Sequence, residues 1–349
     1  MSGKAEGGKS MKTRRQILTT SVIAVALMSM SLEAQAQDLK KVTLALPSPG
    51  GIGYFALYNA IGQKFFEEEG IEVDVQSVNG SAQVLQVLVA GQAQFGHPGP
   101  GPLLNAREGG EDVVYIYNYF SSSQFSLVAK ENSGFTSPLD LKGKVVGVGT
   151  ADGAEVAFVR SIFDDAGMEE DADFTFLTVG EGGMAVAGFT QDAIDAYASD
   201  TAGMATLRLR GIDLTNLTPP DFKAYFGNGY AVSRTYLDEN RDTIEGFGRA
   251  IVRGARYGAD PANKEQTLEN AKLGNPQQLE DREFAAALLE TYVSLTAPAD
   301  PKKGYGYQNP ASWQRWQDTL IKSGDLDAPL PDLTQAYTNE FVEAWNAPE

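Results

Sequence analysis

Residues 42–75 read VTLALPSPGGIGYFALYNAIGQKFFEEEGIEVDV, and the order of patterns in them indicates the fold class. Apolar residues alternate along Val42–Leu46, which predicts a strand, and the Pro/Gly-rich run after it predicts a loop. Apolar side chains then recur every four residues from Leu57 to Phe65, as on one face of a helix, and Gly70 stands where a left-handed helix terminator belongs. A half-buried strand over Ile71–Val75 completes a predicted β-α-β unit.

The same order of elements continues and then repeats. A helix over Gln83–Ala90 and a strand over Ala93–Gly96 extend the unit to βαβαβ. The helix terminators Gly70 and Gly91 recur as Gly167 and Gly188, each 97 residues later. The second copy has predicted strands at 145–148, 174–179 and 193–197 and predicted helices at 154–166 and 184–188. Two similar α/β halves, joined by strands at 113–120 and 124–130, follow from this repeat.

Beyond Val232 the pattern changes to helices. They are predicted at Tyr236–Ala259, Pro261–Leu273, Arg282–Leu295, Ala311–Ser323 and Thr334–Trp345. We expect these helices to cover the first α/β half, with the three tryptophans in them as core or interlobe packing.

The first 36 residues predict an export leader. Met11 begins a basic start, MKTRRQIL, followed by the apolar run Ile17–Leu32 and a small-x-small cleavage site at Ala34–Ala36, as in a secretory signal peptide. The pair Arg14-Arg15 resembles a twin-arginine export signal, and an ordinary secretory (Sec) signal is the alternative. Residues 1–10 are interpreted as an upstream extension, so we expect a mature, periplasmic chain that starts at Gln37.

Composition excludes several classes of function. The sequence has no cysteine, which excludes disulfides, thiolate metal sites, cysteine nucleophiles and the acylated cysteine of anchored lipoproteins. The 46 acidic and 28 basic residues give a net charge of −18, so the surface repels nucleic acid and anionic lipid. A lone histidine excludes a multi-histidine metal site. We therefore expect a monomer with no cofactor, no metal, no nucleic-acid partner and no membrane insertion after leader removal.

Four segments, in order, carry a family resemblance. They are the opening stretch, GSAQVLQVLVAGQAQFG at 80–96, SPLDLKGKVVGVG at 137–149 and QDAIDAYASD at 191–200. Together they resemble the sulfonate, taurine, nitrate and thiamine-pyrimidine (SsuA/THI5-like) group of ABC-transporter substrate-binding proteins. The resemblance covers essentially the whole mature chain.

The resemblance implies an α/β, two-lobed periplasmic binding protein fold of type II, in which each lobe is a mostly parallel sheet flanked by helices and two crossover strands join the lobes. It places lobe 1 at 38–122 plus 227–349 and lobe 2 at 123–226. In the family the lobes close on a small molecule and deliver it to a membrane permease, which works with an ATPase. The loops after parallel strands gather at one edge of each lobe, where helix N-termini present free N–H groups to a ligand.

The resemblance also implies which residues face the ligand. They are Ser48, Tyr54, Phe55, Ser81, His97, Pro98, Ser122, Thr150, Ala151, Glu181, Tyr197, Asp200 and Tyr230. Among them, Tyr54 and Tyr230 offer aromatic faces for a planar ring, with packing of the lobe interior as the alternative. Thr150 either donates to a ligand at a helix N-terminus or caps the helix. His97 is either a ligand contact or a hydrogen-bonded structural residue.

The charges of these loops favour one class of ligand. The loops carry Asp152, Glu181, Asp195 and Asp200 and no lysine or arginine, which disfavours nitrate or a bare sulfonate. A neutral or partly cationic aromatic heterocycle with hydrogen-bonding edges, such as a pyrimidine, suits them better. The sequence thus predicts a solute-binding protein, with a sulfonate- or taurine-type anion binder and an exported enzyme or sensor on the same scaffold as alternatives.

Catalytic motifs are weak or missing, so no catalytic residue is predicted. The glycines at 147, 149 and 153 follow a strand and open a helix, but their spacing is one residue too long for a dinucleotide-binding G-x-G-x-x-G. A G-x-S-x-G nucleophile elbow does not occur. The resemblance also points to pyrimidine synthases and an aromatic desulfinase on this fold, but both use cysteines that this sequence lacks.

Overall fold

The alternating apolar patterns form strands in the computed structural model of the protein, which describes Gly3 and residues 39–348. Apart from Gly3, the predicted leader and signal peptide lie outside the described residues. The strands of the described part are β1 (Lys40–Leu46), β2 (Ile71–Ser77), β3 (Phe95–Gly96), β4 (Val113–Tyr117), β5 (Phe125–Lys130), β6 (Lys144–Val148), β7 (Phe174–Thr178), β8 (Ala196–Asp200), β9 (Leu214–Asn216) and β10 (Tyr230–Ser233).

These strands form two five-stranded sheets with the same plan, in the orders β2-β1-β3-β10-β4 and β7-β6-β8-β5-β9. The first three strands of each order are parallel, with Lys40 opposite Ile71 and Val146 opposite Ala196. The fourth strand of each order is β10 in the first sheet and β5 in the second, and each is antiparallel to both of its neighbours. Each is also the first strand that the chain forms after it passes from one sheet to the other. The predicted α/β class with two crossings is therefore confirmed, and the lobe boundaries near residues 122 and 227 stay predictions.

Helices cover both sheets. They are α1 (Phe55–Gly62), α2 (Phe65–Glu68), α3 (Gly80–Val89), α4 (Pro100–Glu108), α5 (Ala154–Asp165), α6 (Gly183–Thr190), α7 (Thr201–Leu209), α8 (Arg234–Glu239), α9 (Arg241–Ala259), α10 (Lys264–Ala271), α11 (Arg282–Thr296), α12 (Pro310–Lys322) and α13 (Val342–Asn346). Within the described part of the chain, no helix combines the length and apolar character needed to cross a membrane.

The C-terminal helices pack on the first sheet's helices through buried apolar and amide side chains. Helix α9 lies so close to α1 that a Cβ on Gly254 would come within 2.0 Å of the Ala56 carbonyl oxygen. The Asn59 amide donates to the Gly254 carbonyl oxygen at 3.1 Å, which satisfies polar groups inside this interface. Helix α12 instead contacts both α4 and α5, one helix from each half, and its buried Trp316 lies against Phe158 of α5 and near Gly101 of α4.

The predicted helix over Thr334–Trp345 is wrong. Only a short 3-10 turn at Leu333–Ala336 and α13 form there, and the chain is extended at Tyr337 between them. Tyr337 forms a parallel bridge to Tyr115 of β4, and the N–H of Thr338 donates to the Tyr115 carbonyl oxygen at 3.0 Å. Pairing with a distant strand has overridden the local helical pattern.

Two glycines let the two halves of the chain touch. A Cβ on Gly99, which precedes α4, would lie 2.3 Å from the Cβ of Ala154, the first residue of α5. A Cβ on Gly80, the first residue of α3, would lie 3.0 Å from the Thr150 hydroxyl oxygen. The loops at the carboxyl ends of the two sheets are therefore in direct contact, as in a closed arrangement of two lobes.

Candidate functional site

A cavity of about 980 Å³ lies where the carboxyl ends of the two sheets face each other. Ser48 and Tyr54 line it from the loop and 3-10 turn after β1, and Ser81 from the start of α3. Thr150 and Glu181 line it from loops that follow strands of the second sheet. Ligands bind at this edge of α/β sheets because the loops and the N–H groups of helix N-termini converge there. A volume of this size suits a small organic molecule.

The wall on the first-sheet side includes Ser81 and Tyr54. The Ser81 hydroxyl accepts a hydrogen bond from the Gly99 N–H at 3.1 Å and is buried. Ser81 is the second residue of α3, so this bond ties the start of α3 to the residue before α4. Tyr54 keeps 9% of its surface exposed, and its ring forms part of the cavity wall.

Behind Tyr54 lies a cluster of aromatic rings around His97. The His97 ring centroid is 5.0 Å from that of Tyr54, 5.2 Å from that of Tyr119 and 4.9 Å from that of Tyr230, all edge to face. His97 has no exposed surface and neither ring nitrogen has a hydrogen-bond partner. Burial lowers the pKa of His97 to about 3, so the ring is neutral. It supports the wall from behind and does not line the cavity.

The wall on the second-sheet side includes Thr150, Tyr197 and acidic side chains. The Thr150 hydroxyl is buried and has no hydrogen-bond partner, while its backbone N–H donates to the Glu155 carboxylate at 3.3 Å. Thr150 does not cap α5, because the residue at the cap position is Gly153. The Tyr197 hydroxyl donates to the Gly180 carbonyl oxygen at 3.0 Å, which fixes its ring at the back of the cavity.

Three carboxyl groups meet on this side of the cavity. Burial raises the pKa of Glu155 to about 7, and Asp200 and Asp152 add to the shift. Glu181 retains exposed surface, yet the enclosing protein, Asp200 and Glu155 together raise its pKa to about 7. Burial also raises the pKa of Asp200. The backbone N–H of Gly203 donates to this carboxylate at 2.7 Å and has the opposite, smaller effect on the pKa. Part of this negative charge is therefore neutralised by protons near pH 7.

Seven of the thirteen predicted residues line the large cavity, and their binding role stays a prediction. They are Ser48, Tyr54, Ser81, Thr150, Glu181, Tyr197 and Asp200.

The other six lie elsewhere. Phe55 and Tyr230 are buried in the first-sheet core, so the expectation that Tyr230 stacks on a ligand finds no support in its position. Pro98 is buried beside His97, and Ala151 is exposed outside the cavity lining. Ser122 lines a neighbouring cavity of about 400 Å³.

Several cavity-lining residues were not predicted from the sequence. Glu155 could have been found, because it follows the predicted loop directly. Asn228, Arg210, Gln278 and Tyr292 come from the second crossing and from helical or turn segments far along the chain. No local pattern marks them, since tertiary packing alone brings them to the strand ends. Arg210 places a cation on a wall that the loop sequences had suggested was free of lysine and arginine.

A cavity held between the matching edges of two crossover-linked α/β sheets defines the periplasmic binding protein fold. The solved periplasmic aliphatic sulphonate-binding protein SsuA from Escherichia coli has this fold. It superposes with a TM-score of 0.64 at 19% identity, covering 85% of this chain and 91% of that one.

Sequence comparison then identifies the family. The NMT1/THI5-like family model matches residues 53–263, and the chain belongs to this family. The riboflavin-binding protein RibY from Chloroflexus aurantiacus is 28% identical over 322 residues, which is 87% of this chain and 86% of that protein. The formylaminopyrimidine-binding protein from Halalkalibacterium halodurans is 22% identical over 331 residues, which is 92% of this chain and 96% of that protein. Both relatives are named as binding proteins.

Proposed function

We propose that this protein is the solute-binding component of an ABC importer, exported to the periplasm, and that it captures an aromatic heterocycle between two closing lobes without altering it. It then presents the closed complex to a membrane permease that works with an ATPase. The observation that carries the proposal is the cavity of about 980 Å³ enclosed by the strand ends of both sheets. Contacts from both halves to one ligand favour the closed state over the open state.

The chemistry of the walls supports a heterocyclic ligand. Tyr54 and Tyr197 provide aromatic surface, and Thr150 and Asn228 provide buried polar atoms that have no partner within the protein. A planar ring with polar edges uses both kinds of surface. The two relatives that align along most of the chain are named for a flavin and a pyrimidine, which agrees with this class.

The anion-binding alternative is less well supported by the charges. Among the described residues that line the cavity, Arg210 is the basic side chain, against the carboxyls of Glu155, Glu181 and Asp200 at the strand ends. A sulfonate or nitrate would be repelled by these carboxyls, and one arginine does not balance three negative groups.

A thermal-shift screen tests the proposal. The purified chain is melted with riboflavin, 4-amino-5-hydroxymethyl-2-methylpyrimidine, formylaminopyrimidine, taurine, an alkanesulfonate and nitrate. A ligand present at 100 times its Kd stabilises the folded state by about 2.7 kcal/mol. We expect a heterocycle to raise the melting temperature and to be recovered unchanged by mass spectrometry. Stabilisation by the sulfonates and not by any heterocycle would transfer the assignment to an anion binder, and a chemically altered heterocycle would indicate an enzyme.

A further inference from the structure

We propose that the carboxyl groups of Glu155, Glu181 and Asp200 act as one proton-sharing site, which holds a proton while the cavity is empty and releases it to solvent when a cationic nitrogen group of the ligand takes its place. This inference rests on the proposed function and specifies the chemistry of the ligand. The bound ligand presents charged N–H donors, such as an amidinium or a protonated aminopyrimidine edge, to these three side chains.

The geometry brings the three carboxyls to one wall. Gly149, the residue after β6, lies beside two of them, because a Cβ there would be 3.2 Å from the Glu181 Oε1 and 3.3 Å from the Glu155 Oε1. Asp200, at the end of the neighbouring strand β8, is the N-cap of α7 and also lines the cavity. Negative charges gathered on one wall of a partly buried site repel one another, which favours protonation of a carboxyl or the approach of a counter-charge.

Unpartnered buried groups beside the carboxyls point to a ligand. The Thr150 hydroxyl, on the loop between Gly149 and Glu155, is 8% exposed and has no hydrogen-bond partner. Asn228 is 3% exposed, and its amide nitrogen donates to the His97 carbonyl oxygen at 3.3 Å. This bond fixes the amide orientation and leaves the Asn228 Oδ1 as an acceptor without a donor. Native structures rarely leave such atoms unpaired, so a ligand with N–H groups is the expected partner.

The other titratable groups around the carboxyls do not neutralise them. Asp152 faces Glu155 from the same loop, and the phenols that interact with the carboxyls are Tyr54, Tyr197 and Tyr292. Glu280, Asp281 and Arg210 also line the cavity. Within the described part of the chain, no lysine or arginine is among the charges that perturb the three carboxyls. A proton or a ligand cation must therefore compensate them.

The direction of the proton exchange follows from electrostatics. With pKa values near 7 for Glu155 and Glu181, the empty site is partly protonated at neutral pH. A cation beside a carboxyl favours its charged form and lowers its pKa, so binding expels the proton. Affinity for the cation then rises with pH until the empty site has lost its proton. At high pH the charged carboxyls therefore repel anions, and at low pH protons compete with the ligand cation for the carboxyls.

Benzamidinium is the probe, because it is a planar ring with an amidinium group that stays charged across the relevant pH range. Benzamide and benzoate have the same shape with neutral and negative groups. Calorimetry at pH 7 in phosphate and in Tris, whose ionisation enthalpies differ, measures the number of protons released. Infrared spectroscopy of the empty protein measures the neutral carboxyl band.

Two variants separate the site from the rest of the surface. Glu181→Gln removes one carboxyl of the site. Glu131→Gln changes an exposed carboxyl outside the cavity lining and serves as the matched control.

For the wild type we expect a neutral carboxyl band at pH 7 that disappears as the pH is raised. The Kd of benzamidinium should fall about tenfold between pH 6 and pH 8, as for competition with one proton whose pKa is near 7. Benzamide should bind about tenfold more weakly and benzoate more weakly still. In Glu181→Gln the proton release should fall by at least half, while Glu131→Gln should match the wild type.

The inference is overturned if the empty protein shows no neutral carboxyl at pH 7, if benzamidinium does not bind, or if its Kd is independent of pH. A riboflavin or pyrimidine that stabilises the protein in the same preparation would then leave the proposed function standing. Conversely, proton-linked benzamidinium binding without stabilisation by any heterocycle would support the site and reject the proposed ligand class.

Discussion

The contact between Gly99 and Ala154 yields a prediction that needs no ligand. Gly99 has φ −78° and ψ 158°, a conformation open to any residue, so an alanine there meets no backbone strain. Its Cβ would lie 2.3 Å from the Ala154 Cβ, whereas carbon atoms in contact sit about 3.5–4.0 Å apart. The chain must therefore open by more than an ångström where the two halves meet. We expect Gly99→Ala to lower the free energy of unfolding by about 1–3 kcal/mol, the usual range for overpacking.

The rescue variant separates this contact from other effects. In Gly99→Ala/Ala154→Gly the nearest atom of residue 154 would be its Cα, at 3.5 Å, which is an ordinary contact. We expect the double variant to recover most of the loss, apart from about 0.5–1 kcal/mol for glycine in the first turn of α5. Urea unfolding of the four proteins in the cycle gives the coupling energy. A neutral Gly99→Ala, or a double variant no more stable than that single variant, would refute direct contact between the halves in the empty protein.

Three further predictions concern the cavity walls. Because the pKa of Glu155 is about 7 in the folded protein and 4.5 in the unfolded chain, the folded state holds a proton that the unfolded chain has lost, and stability falls as pH rises from about 4.5 to 7. Glu155→Gln should flatten this fall in urea titrations at pH 5 and pH 8, and an unchanged slope would contradict the assignment. Thr150→Val removes an unpaired buried hydroxyl, so the empty variant should be as stable as the wild type or up to about 1 kcal/mol more stable. The same change should weaken binding of the ligand found in the screen. Tighter binding by calorimetry would argue against a contact between this hydroxyl and the ligand. Tyr54→Ala should weaken that binding about tenfold or more, because it removes an aromatic side chain from the cavity wall. Tyr230→Phe removes only a hydroxyl in the buried core and should leave Kd within about twofold. Equal losses in both would place the Tyr230 hydroxyl at the ligand.

Local patterns were enough to predict most of the fold. The strands from Val42 and from Val145, the helix over Arg282–Leu295 and the 97-residue repeat depend on short-range periodicity and on glycine terminators, which act within a few residues. The strand predicted at 193–197 is β8 in the structure, which begins three residues later and runs from Ala196 to Asp200. The extended chain after Ala336 was missed because its partner, Tyr115, is more than 200 residues away.

The candidate site was predictable only in part. Loops that directly follow strands brought Ser48, Thr150 and Glu181 to the cavity, as the βαβ geometry requires. Sequence position could not distinguish Tyr54, which lines the cavity, from Tyr230, which has no exposed surface. Both lie in glycine-flanked segments at strand ends, and which of them faces the opening depends on how α9 and α11 pack behind them.

The sequence by itself determined the two repeated α/β halves, the acidic character of the strand-end loops and the membership of a solute-binding family, because each of these is a property of local pattern or composition. Tertiary structure decided which side chains meet. It placed Glu155, Glu181 and Asp200 on one wall, left the Thr150 hydroxyl and the Asn228 Oδ1 without hydrogen-bond partners, and buried His97 behind Tyr54. Burial and mutual repulsion set the protonation of the carboxyls, and both depend on distances that exist only once the two sheets face each other.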